Sequence, residues 1–370
     1  MSERSPYRIA IFGAGDAGCI VIREATRLPE FQVVGALVFS DKKKGLDIGT
    51  LAGIAPLGMT TTADLEEFLK IECDAVVHTA LDTPASNTQA DFTKLLEAGK
   101  NVVTSHPYSY LPAREPSFGE AIKQACKRGN STFHATGLNP DLITQRVVTL
   151  LTCLSNDIKR IQLEEYFDCQ DQANAANLQV IGLGEDVSST MDETSPAVWY
   201  QKHYNYQMIY HVGREFGVKI DRIEATWECL PAPQDIARPV MTIKKGRTAL
   251  ISYTSTGYVD GAPFISIKIT YFFGQEMKPP QLDQDNVYIV TIEGRPSSRT
   301  VLSLKPSYLT DAKEIEGEPA AAAYVTFAVA LLQAVPMVVE AAPGFKAPDI
   351  PPVHWKKDQR SHVGSCYTET

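Results

Sequence analysis

The sequence has no surplus of basic charge. Its 35 lysines and arginines face 44 aspartates and glutamates, a net charge of −9 over 370 residues. A nucleic-acid partner is therefore not expected, because the one cluster of bases, Lys42-Lys43-Lys44, is too short to form a binding face. Cysteine motifs are missing as well. The seven cysteines (19, 73, 126, 153, 169, 229 and 366) are scattered, odd in number and never in C-x-x-C spacing. That pattern excludes a zinc ribbon or a disulfide framework and fits thiols in a reducing compartment. The opening Met1-Ser2-Glu3-Arg4-Ser5-Pro6 carries no apolar h-region, so no secretory signal is read and a cytoplasmic location is expected. There are no repeats or low-complexity tracts. Long apolar runs are scarce, but Ala320–Val339 holds no charged residue over 20 positions, enough to span a bilayer. It is rich in alanine, contains Tyr324, Thr326, Gln333 and Pro336, and is followed directly by Glu340. It reads as a buried helix, and no membrane partner is expected.

The most specific feature that is present is Arg8-Ile9-Ala10-Ile11-Phe12-Gly13-Ala14-Gly15-Asp16-Ala17-Gly18. An apolar strand runs into G-x-G-x-x-G, and a helical pattern follows, the order a dinucleotide pyrophosphate site requires. Gly13 permits the tight turn, Gly15 lets the backbone approach the phosphates, and Gly18 allows close packing of helix on strand. The amides of Asp16, Ala17 and Gly18 open the helix and face the negative charge.

A chain of 370 residues predicts two domains. Strand-like runs at 8–12, 32–39, 75–78, 101–104 and 132–135 alternate with helix-like runs near 18–28, 64–70, 85–99 and 115–128. Continuous apolar strands of this kind are buried on both faces, as in a Rossmann doubly wound parallel sheet. Later runs at 158–167, 221–229, 248–259, 264–273 and 287–293 carry hairpin signals such as Lys245-Gly246 and Asp260-Gly261. Ser195–Gly217 reads as a helix among them. The fold class is α/β: a dinucleotide domain over 1–145, completed by a returning helix at 319–345, plus an α+β domain over 146–318 with a mostly antiparallel sheet. Residues 346–370 form a loose polar tail.

Ligands of such a sheet lie beyond the carboxyl ends of its strands. The second strand leads into Ser40-Asp41-Lys42-Lys43-Lys44, where Ser40 and Lys42 suit a ribose 2′-phosphate, so NADP(H) is expected, with NAD(H) the alternative. Thr79-Ala80-Leu81-Asp82-Thr83 would run under the nicotinamide ribose. Thr104-Ser105-His106-Pro107-Tyr108 and Thr136-Gly137-Leu138-Asn139-Pro140 converge where a hydride acceptor would sit. Asn139, held extended before proline, is read either as a partner of the nicotinamide carboxamide or as a turn initiator. His106 titrates near neutral pH and is the candidate general acid or base. His78 and His134 lie within strands and read as satisfied core residues. Glu164 and Glu165, adjacent on a strand, face opposite sides, and a surface role is expected for both. His203 and His211 share a helix face but lack further ligands, so no metal site is expected.

These pieces together resemble the NAD(P)-dependent amine dehydrogenase and 2,4-diaminopentanoate dehydrogenase family, with its dihydrodipicolinate-reductase-like N-terminal domain. The glycine turn carries the resemblance along with Gly45-Leu46-Asp47-Ile48-Gly49, Leu51-Ala52-Gly53, Asn101-Val102-Val103-Thr104-Ser105 and Gly137-Leu138-Asn139-Pro140. Gly257-Tyr258-Val259-Asp260-Gly261 and the stretch from Ala334 to Gly344 complete it. The resemblance implies reversible reductive amination of a small carbonyl substrate, a homodimer, and a second domain that binds substrate and dimerises. It also implies hydride transfer to C=N or C=O. The reading of the residues themselves nominates His106 as proton donor, assisted by Tyr108 or Tyr166. Amine dehydrogenases place a glutamate after the Asn-Val-Val-Thr strand, whereas this chain has Ser105-His106-Pro107-Tyr108. The alternatives are a carbonyl or alcohol oxidoreductase, a biosynthetic imine reductase that does not use ammonia, and a non-catalytic NADP(H)-binding regulator.

Overall fold

The alternation of apolar strands and amphipathic helices in the first third of the chain produces a parallel sheet. The computed structural model describes residues 5–82, 86–172, 175–190, 192 and 194–348. Strand β1 (Tyr7–Phe12) leads into helix α1 (Asp16–Thr26) and then β2 (Phe31–Leu37). After two one-turn helices come β3 (Ala75–His78), α2 (Thr88–Glu97), β4 (Asn101–Thr104), α3 (Pro116–Gly129) and β5 (Thr132–Ala135). β3 and β5 are buried at every position, as expected of strands with helices on both faces. Their order is β5-β4-β3-β1-β2, all parallel. β1 has β2 on one side and β3 on the other, so the order reverses there, and the loops after β1 and β3 flank the crevice of a doubly wound sheet.

A π-helix, Leu138–Val148, follows β5. The chain continues through β6 (Asn156–Asp168), α4 (Pro196–Glu215), β7 (Arg222–Pro231), β8 (Thr248–Val259), β9 (Ala262–Phe272), β10 (Asn286–Arg295) and β11 (Ser298–Ser303). These strands form a second sheet in the order β11-β10-β6-β9-β8-β7. Only the β6–β9 pair is parallel, so the sheet is mostly antiparallel. Helix α4 packs on one face, where Asn205 Nδ2 donates to Ser255 Oγ at 3.2 Å. Gly257 makes room for it, since a Cβ there would fall 2.5 Å from Ile209.

Helix α5 (Ala322–Glu340) and strand β12 (Gly344–Phe345) return to the first sheet, β12 pairing parallel with β5. The charge-free run is long and apolar enough to cross a bilayer. Here its Val325, Ala328, Leu331, Leu332, Val335 and Val338 share a core with Ile9, Ile11, Val21 and Ile22. The described chain divides into two compact units, one ending at Leu142 and joined by Glu314–Pro348, the other Ile143–Lys313. Thr83, Cys366 and tail residues 349–370 lie outside the described residues.

Candidate active site

Each glycine of the first turn has its own steric reason. Gly13 sits at φ +97°, and a Cβ there would lie 2.5 Å from the Ala80 amide nitrogen. A Cβ on Gly18 would lie 2.6 Å from the Gly13 carbonyl oxygen, so helix and turn touch only because it is absent. Around Gly15 no atom lies within 4 Å of the missing Cβ. Gly15 also caps α1 without a side-chain acceptor, which leaves the opening amides of Asp16, Ala17 and Gly18 without a side-chain cap at the positive end of the helix dipole. An open approach to uncapped amides is the cradle a pyrophosphate needs, and these residues fit a dinucleotide. Thr79 braces the turn, its Oγ1 donating to Gly13 O at 2.9 Å.

β2 stops at Leu37, two residues short of the sequence expectation. The chain leaves the sheet as Val38 N donates to Thr62 O at 2.9 Å. Ser40 therefore stands in an exposed turn three residues beyond the strand, with Lys43 N donating to Ser40 O at 2.9 Å. Asp41 and Lys42 are exposed beside it. Phe39 and Leu81, 68% and 54% exposed at the ends of β2 and β3, are uncovered apolar side chains on either side of β1.

The loops after β3 and β4 are joined at two points. His106 Nε2 contacts Ala80 O at 2.5 Å, and Tyr108 OH donates to Asp82 Oδ2 at 2.9 Å. A carbonyl oxygen only accepts, so Nε2 carries the proton and Nδ1 holds the lone pair in the neutral ring. His106 is nearly buried and its amide donates to Thr104 Oγ1 at 3.3 Å. Burial lowers its pKa, Asp82 pulls it back up, and Arg114 opposes that. Asp82, 4% exposed, also accepts from Thr88 Oγ1 at 2.7 Å. Tyr108 stacks on Phe118 under the Arg114 guanidinium, and burial with the Asp82 charge pushes its hydroxyl pKa well up. The Tyr108 proton is thus turned inward, towards Asp82.

His78 corrects the expectation of a satisfied core histidine. It stacks on Phe12 and neither ring nitrogen has a hydrogen-bond partner. Burial holds it neutral, with its pKa well below the ordinary value. His134 does have a partner, Nδ1 to Lys346 O at 2.8 Å. Asn139 is extended (φ −136°, ψ 137°) at the start of the π-helix, as the following proline requires.

Residues 7–105 match the family described as dihydrodipicolinate reductase, N-terminus. The chain is 27% identical over 358 residues to an amine dehydrogenase of Streptomyces virginiae, covering 92% of this chain and 95% of that one. The chain is an NAD(P)-dependent oxidoreductase. It is also 24% identical over 283 residues to the 2,4-diaminopentanoate dehydrogenase of Acetoanaerobium sticklandii, covering 71% and 78% of the two chains. A solved amine dehydrogenase from Mycobacterium smegmatis shares the fold, with a TM-score of 0.77 at 18% identity over 95% of this chain and 99% of that one.

In the second unit of this oxidoreductase, Tyr166 OH donates to Glu164 Oε1 at 2.9 Å, both on one face of β6. Glu165 points to the opposite face and is 2% exposed, which overturns its expected surface role. Burial raises its pKa to about 8. His203 Nδ1 meets Trp199 O at 2.7 Å, and His211 is buried with its pKa lowered to about 4. No group of three metal-ligating side chains occurs among the described residues. Sequence reasoning passed over Asp82 and Arg114. The available signal was positional: Asp82 is an acid four residues beyond β3, beside the point where the strand order reverses.

Proposed function

We propose that this oxidoreductase reduces a C=N bond, formed from a small carbonyl compound and an amine, in a reversible reductive amination that prefers NADP(H). The observation that carries the reading is the double use of Ala80. Its backbone packs on Gly13 of the phosphate turn, and its carbonyl holds His106. One residue therefore links the dinucleotide turn to the proton-handling side chain.

When bound, the nicotinamide C4 supplies hydride. The amides of Asp16, Ala17 and Gly18 would hold the pyrophosphate, and Ser40 and Lys42 the 2′-phosphate. Exposed Phe39 and Leu81 would flank the adenine, with Thr79, Thr104 and Asn139 toward the nicotinamide. His106 Nδ1 takes a proton from ammonium, which frees the ammonia that attacks the carbonyl, and returns that proton to the hydroxyl that departs as water. Tyr108 orients this loop. Tyr166 is a substrate-side candidate in the second unit. A homodimer draws support from exposed Val301, Leu302, Tyr308 and Leu309 on and just after β11. A cytoplasmic setting draws support from free thiols at all six described cysteines.

One observation favours a second reading, a carbonyl oxidoreductase. The β4 loop supplies a neutral imidazole where amine dehydrogenases carry a glutamate. The test is NADPH oxidation by the full chain over a panel of carbonyls, with and without ammonium. His106→Ala should lower turnover by about 100-fold or more while NADPH still binds. Ammonium-independent turnover favours the carbonyl reading, and tight NADPH binding without any turnover favours a regulator.

A further inference from the structure

We infer that Asp82 is the fixed carboxylate of this site, a positioning residue that acts through His106 and Tyr108. The inference rests on the reading of His106 as the group that moves the proton. A glutamate following β4 would bring its charge on its own loop, whereas here the charge comes from the neighbouring loop, after β3.

Three features of the packing carry this. The loops are tied by His106 Nε2 to Ala80 O and by Tyr108 OH to Asp82 Oδ2, and Thr88 in the first turn of α2 adds the bond to Asp82 Oδ1. Among the described residues, both oxygens of this buried carboxylate accept from neutral hydroxyls, and no cation is in direct contact with it. A buried charge held only by neutral donors gains most from a cation that arrives beside it.

The charged and titratable groups around His106 come from every side. His78 of β3 lies edge-on at 5.4 Å and stays neutral, Arg114 opposes a second positive charge, and Asp82 favours it. When an ammonium gives up its proton, the N–H bond breaks, an Nδ1–H bond forms, and the positive charge moves onto the imidazole ring. The Asp82 carboxylate stabilises that imidazolium. Its field also reaches an iminium held beside the ring, the electrostatic contribution histidine alone does not supply.

The test is an NMR pH titration of 15N-histidine-labelled full chain without substrate, His106 being assigned by its absence in His106→Gln. Asp82→Asn, which keeps the shape and removes the charge, should lower the His106 inflection by about one pH unit or more. Asp82→Glu should restore it. Tyr108→Phe, which keeps the charge, should not lower it. Thr88→Val strips one donor from the carboxylate, leaves its charge less shielded, and should raise it. An inflection unmoved in Asp82→Asn or, if that variant does not fold, unmoved in Thr88→Val overturns the inference. Equal lowering in Asp82→Asn and Tyr108→Phe also overturns it, because Asp82 would then only pack the loop. The titration needs no turnover, so a failed amination screen would count against the proposed reaction and leave this result standing.

Discussion

At Gly13 and Gly15 the same substitution should have opposite consequences. Alanine at Gly13 forces a Cβ against the Ala80 backbone at 2.5 Å, in a left-handed conformation (φ +97°) that disfavours any side chain. Overpacking and backbone strain together should destabilise Gly13→Ala by about 3 kcal/mol. Ala80 also holds His106, so the damage should spread to that loop. Alanine at Gly15 meets nothing within 4 Å. Its stability should stay within about 0.5 kcal/mol of wild type, while the added methyl occupies the approach to the α1 amides and weakens NADPH binding about tenfold or more. Urea unfolding and cofactor fluorescence titration separate the two. Undiminished affinity in Gly15→Ala would remove the pyrophosphate from that turn.

Among the elements, what could be read in the sequence follows what each residue must bury. β3, β4 and β5 span 75–78, 101–104 and 132–135, matching the predicted runs, because a strand covered on both faces buries nearly every position, polar His78, Thr104 and His134 included. β2 was overrun to Phe39, since an exposed aromatic past a strand end looks the same in sequence as one inside it. β11 went unread because Ser298–Ser303 is a half-exposed polar edge, and the π-helix because its wider hydrogen-bond period leaves no familiar apolar spacing. The glycine turn was legible as a contiguous motif. Asp82 was not, because its role arises only when β3 lies beside β4. Helix α4 was legible as a helix, but its buried face includes Gln201 and Asn205, and Glu165 is buried on β6 of the same unit. Tertiary packing, not local pattern, buries such groups. For Glu165 the consequence is measurable. In the folded chain it stays protonated up to about pH 8, against an ordinary value of 4.5. Between these values the folded state binds the extra proton, so this contribution to stability is complete below 4.5 and lost as pH rises through 8. The slope is about 1.4 kcal/mol per pH unit within that window. Glu165→Gln should flatten the stability profile between pH 5 and 8, as read by urea unfolding at several pH values. An unchanged slope would show that Glu165 ionises normally.

For the whole molecule, the decisive event is the return of the chain. It leaves the first unit at Leu142 and re-enters at Glu314, so α5 must dock against α1 without local contacts to guide it. Glu318 is the latch. Its side chain is fully buried and takes a bidentate pair from Arg23, Nε to Oε2 and Nη2 to Oε1, each at 2.7 Å. Ala320 N adds a bond to Oε1 at 2.9 Å, and Arg23 Nη1 reaches on to Ala52 O at 2.9 Å. Arg27 Nη2, at the C-cap of α1, donates to Glu316 O at 2.9 Å. Removing one partner of such a pair strands the other, so Glu318→Gln should destabilise the chain by about 3 kcal/mol. Replacing both, Arg23→Met with Glu318→Leu, leaves no stranded charge and should cost less than the single change. The loss should fall first on the returning segment. Hydrogen exchange in Glu318→Gln should quicken across α5 and β12 before it does in β1, because β1 keeps β2 and β3 on either side. Uniform quickening across the first unit would mean that α5 is an integral part of one cooperative core and that Glu318 contributes no more there than any other buried contact.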